Sequence, residues 1–121
     1  MFIGSGVGMT PLVSMFKKAA SLNVPTQMIQ AVVTEDERPF AQKLDSITAN
    51  HEQAQLHLHV KDKEGYLEAK ELEQYLSEQP EIYICGGTKF LHSIINSLKE
   101  LNYDMNHVHF ETFIPRLSVQ V

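Results

Sequence analysis

Cysteine is almost missing from this chain: among 121 residues there is one, Cys85. A lone thiol cannot close an internal disulfide, so the fold must rest on a packed core, and a reducing, cytoplasmic setting is expected. Long apolar runs are missing too; none approaches the roughly 20 residues that span a bilayer. The opening Met1-Phe2-Ile3 runs straight into glycines, without the basic head and apolar middle of an export signal. Positive charge is scarce. Ten Lys and Arg stand against fifteen Asp and Glu, a net of −5, and the basic residues are scattered. A nucleic-acid partner would need them clustered on one face, so none is expected, and no membrane partner either. Internal repeats, low-complexity segments and a second-domain linker are also absent.

What is present is ordinary for a folded globular domain: 43% hydrophobic and 21% charged residues in a length that suits one domain. A short apolar start stops at Gly4-Ser5-Gly6-Val7-Gly8. Pro11 then opens a helical stripe through Leu12, Val13, Phe16 and Ala20, with Thr10 expected as its N-cap. Residues 27–33 are a β-branched apolar strand, followed by a polar loop over 34–39 and a helix marked by Phe40, Leu44 and Ile47. A third strand alternates through Leu56, Leu58 and Val60. After a turn over 62–65 comes a short amphipathic helix carrying Leu72, Tyr75 and Leu76. The fourth strand, 81–85, ends at Gly86-Gly87. Phe90, Leu91, Ile94, Ile95, Leu98 and Leu101 trace the strongest helix, and a fifth strand runs from His107 towards Phe113. Strands alternating with helices predict an α/β, three-layer Rossmann-like fold with a five-stranded parallel sheet, expected in the order 3-2-1-4-5.

The glycine turn carries chemistry. Glycines at 4, 6 and 8 between a strand and a helix let backbone N–H groups approach a phosphate, and the helix start adds a partial positive charge of about 0.5 e. The spacing is not the strict dinucleotide fingerprint: Met9 or Pro11 falls where its third glycine belongs. In the expected strand order the turn faces Cys85-Gly86-Gly87 across one crevice at the switch point of the sheet. Cys85 at its mouth has three competing roles: lining a cofactor pocket, filling the core, and acting as a nucleophile. The last needs a nearby base, and His92 in the next helix points poorly for it.

Taken together, residues 2–11, residues 83–87 and residues 109–115 (HFETFIP) resemble the nucleotide-binding domain of the ferredoxin–NADP reductase superfamily. The terminal Glu-x-Phe-x-Pro is most similar to the C-terminal domain of flavohaemoglobins. The resemblance implies hydride transfer from NAD(P)H to FAD held by a separate β-barrel domain, with a haem domain beyond it in the flavohaemoglobin pattern. It implies that Gly6, Val7, Gly8, Met9, Thr10 and Pro11 hold the pyrophosphate and ribose. Cys85, Gly86 and Gly87 would border the nicotinamide, and Phe113 would cover the flavin. Glu111 would position the flavin or carry protons. Gly87 stands where the family often has proline and Ser5 where many members have glycine; both substitutes are small. Thr34 and Glu35, followed by Asp36, are the expected ribose contacts. Their acidity would repel a 2′-phosphate, which favours NADH, with NADPH as the second candidate.

Residues 1–121 are thus expected to be one NAD(P)-binding domain. Its first strand is short enough that the amino-terminal end is read as a cut, with the flavin-binding and any haem domain outside the chain. Such a chain should be inactive alone, and a non-catalytic nucleotide-binding or interaction fragment is the competing reading. The pairs His57/His59 and His107/His109 invite a metal. The expected strand order puts them on opposite edges, about 19 Å apart over four strand spacings, so they are read as ordinary strand histidines.

Overall fold

The computed structural model describes residues 1–112. Strand β1 (Phe2–Ser5) passes through a 3-10 turn, Gly6–Met9, into helix α1 (Thr10–Ser21). Strand β2 (Thr26–Val32), helix α2 (Ala41–Asn50) and strand β3 (Ala54–Val60) follow. Two short helices, α3 (Lys61–Glu64) and α4 (Ala69–Glu73), precede strand β4 (Ile82–Gly86), helix α5 (Thr88–Glu100) and strand β5 (Val108–Thr112). Every strand pairing is parallel and the order is β3-β2-β1-β4-β5, as the alternation of elements predicts.

The central strand shows why the sheet is buried on both sides. Successive side chains point to opposite faces, and Phe2 and Ile3 are both apolar. Phe2 joins Met28, Leu12, Phe16 and Leu44 under α1 and α2. Ile3 joins Ile29, Ile84, Leu72, Leu91 and Leu98 under α4 and α5. Fully burying each such side chain contributes about 1.5–3 kcal/mol against the entropy of ordering it. Among the described residues no helix is long and apolar enough to cross a membrane.

Three local expectations are corrected. Thr10 is the first residue of α1, and Met9 occupies the cap position with no side-chain cap bond. The physical reason is burial: the Met9 side chain is fully enclosed, which draws the turn inward and leaves Thr10 at the exposed helix start. Strand β2 begins one residue early, at Thr26, and stops at Val32, because Val33 is already 49% exposed. The turn after β3 is wound into α3 and closed by Gly65 at φ +78°.

Candidate functional site

At the carboxyl end of β1 the glycines divide their work. A Cβ on Gly4 would lie 2.8 Å from Met9 Cβ and 3.0 Å from Leu12 Cδ1. Gly4 therefore exists so that α1 can close onto the strand. Gly6 has φ +60°, a left-handed conformation that favours glycine, and a Cβ there would meet nothing within 4 Å. Beyond it the Gly6–Met9 turn leads directly into α1, whose amino end carries the positive end of the helix dipole. The turn is a cradle open to an anion.

The neighbouring apex is built differently. Gly4 pairs in register with Cys85, so the two strand ends are adjacent. A Cβ on Gly86 would lie 2.6 Å from the Phe90 ring and 2.7 Å from Ser5 Oγ, whereas one on Gly87 would meet nothing. The Cys85 side chain packs in the cluster beneath α1. It lines a groove of about 150 Å³ with Pro11, Met15, Tyr83, His109 and Phe110. Helix α5, which carries the exposed His92, packs on the other face of the sheet, so that histidine is not aimed at the thiol.

Between the carboxyl ends of β1, β2 and β3 lies a cavity of about 320 Å³. Ser5, Val33, His59, Lys61, Tyr66, Lys89 and Phe90 are among its walls. Tyr66 is 68% exposed, and Lys61 Nζ lies 4.4 Å from its ring centroid. The Lys61 ammonium, bonded to the Tyr66 hydroxyl and aided by Lys89, holds that hydroxyl below its ordinary value. The platform is braced from below. His59 Nε2 donates to the Gly65 carbonyl at 2.9 Å, and the backbone N–H of Val60 donates to Glu64 Oε2 at 2.9 Å. A larger hollow, about 520 Å³, opens at the amino ends of the strands around Gln27, Gln55 and Tyr75. Ligands of open parallel sheets bind beyond the carboxyl ends, so the smaller cavity, which Ser5 walls at the end of β1, is the candidate site.

Sequence reasoning missed Lys61, Tyr66 and Lys89. The signal was a strand ending directly in Lys-Asp-Lys-Glu-Gly-Tyr, a lysine and an aromatic at the carboxyl end of a parallel strand. Conversely, Thr34 and Glu35 do not line the cavity. Thr34 donates to Glu37 Oε1 at 2.9 Å, and the Glu35 carboxylate is paired with Lys63. Phe113 lies outside the described residues, and of Glu111 the backbone is described, paired in register with Cys85.

The two histidine pairs lie on opposite edges of the sheet. His57 Nε2 meets Gln27 Oε1 at 2.9 Å, and partial burial lowers its pKa. On the other edge both His107 and His109 bond the Glu81 carboxylate. The bond to Glu81 raises the His107 pKa, and the bonds from His109 and then His107 lower that of Glu81.

Residues 2–95 match the family model of the oxidoreductase NAD-binding domain. A flavohemoprotein of Bacillus cereus is 25% identical over 135 residues, covering 99% of this chain and 34% of that protein. Among solved structures, the flavohemoglobin of Malassezia yamatoensis, with bound FAD and heme, superposes with a TM-score of 0.81 at 19% identity. That match covers 93% of this chain and 31% of the other. The flavohem-like FAD/NAD-binding domain of nitric oxide dioxygenase from Vibrio cholerae gives 0.74 at 22%, covering 94% and 50%. The chain thus spans about a third of the length of the flavohemoproteins it matches.

Proposed function

This chain belongs to the oxidoreductase NAD-binding domain family, and from that premise we propose that it is the hydride-donor module of a flavin-dependent reductase. It would hold a pyridine nucleotide along the carboxyl edge of its sheet and present the nicotinamide to FAD on a separate β-barrel domain, in the arrangement of a flavohaemoglobin with a further haem domain. The observation that carries this is the pair of adjacent glycine apices with open space above Gly6 and Gly87, beside a cavity walled by Ser5, Phe90 and Tyr66. The residues fit the nucleotide. Backbone N–H groups at residues 6–10 can take the pyrophosphate, and the exposed Tyr66 ring offers a face for the adenine. Cys85 and Gly86 wall the nicotinamide end, with Glu111 and Phe113 proposed on the flavin side. The bound nucleotide supplies the hydride, while the chain aligns and shields it.

Of the two nucleotides NADH is proposed, because the turn that follows β2 keeps exposed negative charge at Asp36 and Glu37, beyond the Glu35–Lys63 pair. NADPH is the second reading, and a specific observation favours it: Lys61 and Lys89 line the cavity and can meet a 2′-phosphate. A cytoplasmic setting is proposed with either. An amide NMR titration of the chain with each nucleotide tests the function. Shifts are expected at residues 6–10, 61–66 and 85–87, larger at equal concentration with NADH. Absence of shifts at millimolar nucleotide overturns the function, and tighter NADPH binding overturns the preference alone. The purified chain should also be colourless; stoichiometric yellow flavin would overturn the assignment of FAD to another domain.

A further inference from the structure

Among the described residues Gln30 is the most deeply buried polar side chain, with 0% of its surface exposed. It lies on β2, in register with Gly4 of β1 and Leu58 of β3. Two residues earlier on the same face, Met28 fills the core beneath α1. An apolar side chain would fill the position of Gln30 equally well, and burying an amide is costly unless each of its groups is bonded.

Here they are bonded, and the partners all belong to segments around the candidate site. Gln30 Nε2 donates to the Pro39 carbonyl at 2.8 Å and approaches Met9 Sδ at 3.8 Å. Gln30 Oε1 accepts from Arg38 Nε at 3.1 Å. Arg38 in turn donates from both terminal nitrogens to the Asp45 carboxylate of α2, at 3.3 and 3.0 Å. One amide therefore joins the glycine turn, through Met9, to the loop over residues 33–40. That loop begins at Val33, a wall of the 320 Å³ cavity. The two ends it joins are the proposed phosphate cradle and a loop whose first residue, Val33, walls the cavity.

We propose that Gln30 is a positioning residue of the nucleotide site: its buried amide fixes the distance between the glycine turn and the 33–40 loop, and so sets the affinity for the adenylate half of the nucleotide. This rests on the function proposed above. The amide touches no ligand itself; it acts through Met9, Arg38 and Pro39.

The test uses the 121-residue chain and Gln30→Leu, which keeps the volume and removes the amide. Without nucleotide, amide hydrogen exchange at residues 9–10 and 33–40 should accelerate together by about fivefold, with β4 and β5 unchanged. With nucleotide, the Kd for NADH should rise about tenfold. Gln30→Glu separates positioning from packing. Its carboxylate keeps the Arg38 bond but has no proton for the Pro39 carbonyl, so NADH affinity should be weak at neutral pH. It should recover as the pH falls and the acid becomes a donor, a recovery the native chain would not show. If Gln30→Leu fails to fold, Arg38→Met takes the same two readouts from the outer end of the network. An unchanged Kd for NADH, or exchange unchanged in both loops, overturns the inference while leaving the function standing. A native chain that binds no nucleotide overturns the function, and this role with it.

Discussion

The two glycine apices stand side by side in the sheet, yet they are made of different materials. After β1, the space that Gly4 leaves is occupied first by Met9 Cβ, whose place is set by the backbone of the Gly6–Met9 turn that leads into α1, and then by Leu12 Cδ1. After β4, the space at Gly86 is occupied by the ring of Phe90, a half-buried side chain, and by a serine hydroxyl. A backbone cannot yield without moving a helix, whereas a ring can swing to another rotamer. The first apex is therefore preformed and stiff, and the second can adjust. For a dinucleotide this is a useful division. Under the function proposed above, the pyrophosphate would sit at the first apex in every bound state, while the nicotinamide would enter and leave at the second.

The largest effect should follow from attacking the stiff apex. Gly4→Ala forces a methyl against Met9 and Leu12, and overpacking of this kind costs about 2–3 kcal/mol. Denaturant unfolding should show that loss, and nucleotide shifts at residues 6–10 should disappear. A loss below about 1 kcal/mol would break the comparison, because the turn would then be as compliant as its neighbour.

Gly86→Ala is the smaller perturbation although its contacts are nominally shorter, 2.6 and 2.7 Å. Rotation of Phe90 should hold the cost to about 1 kcal/mol. Since Phe90 also walls the 320 Å³ cavity, nucleotide affinity should fall by more than the stability loss suggests. Equal stability losses for the two alanine variants would remove the distinction between the apices. Gly87→Ala sharpens it from the other side. With φ −71° and nothing within 4 Å of an added Cβ, it should change stability by less than about 0.5 kcal/mol.

The stiff apex was also the legible one. Gly-x-Gly-x-Gly between an apolar strand and a Pro-started helix is a local pattern, and the alternation of strands with helices left few strand orders to consider. The structure has the order so expected. The platform after β3 was not legible in the same way. Lys61 and Tyr66 meet because Gly65 turns at φ +78° and His59 reaches back to its carbonyl, contacts with no periodicity to reveal them. Glu35 was assigned to the site by its place after β2, but a lysine 28 residues away engages its carboxylate. Gln30 was hidden inside the run QMIQAVV, which reads as plain apolar strand. A buried amide is recognised only when its partners, Pro39, Arg38 and Met9, have been brought to it.

The smallest expected effect concerns how the adjustable apex is anchored at its far end. Glu81, at the amino end of β4, binds His107 and His109 at β5, and Asp104 Oδ2 faces His107 Nε2 at 3.6 Å. The His107 pKa is raised above 6.5 by its bond to Glu81, so its stabilising share is complete below 6.5 and is lost as the pH climbs through the raised value. The Glu81 pKa is lowered below 4.5, so its share is present above 4.5 and is lost as the pH falls through the lowered value. The β4–β5 anchor is thus strongest in mildly acidic solution. On the opposite edge His57, lowered below 6.5 by burial, works the other way: its share is present above 6.5 and lost on acidification through its own lowered value. Glu81→Gln keeps the shape and removes the charge. Urea midpoints of the native chain and this variant should lie furthest apart between about pH 4.5 and 6.5 and converge as the solution becomes alkaline. Because Glu81, Asp104, His107 and His109 are all open to solvent, the gap should also shrink with added salt. Amide exchange at residues 4–10 should not follow the pH difference at all. Exchange that did follow it would mean the two apices share one mechanical unit, and the contrast between a preformed first apex and an adjustable second one would fall.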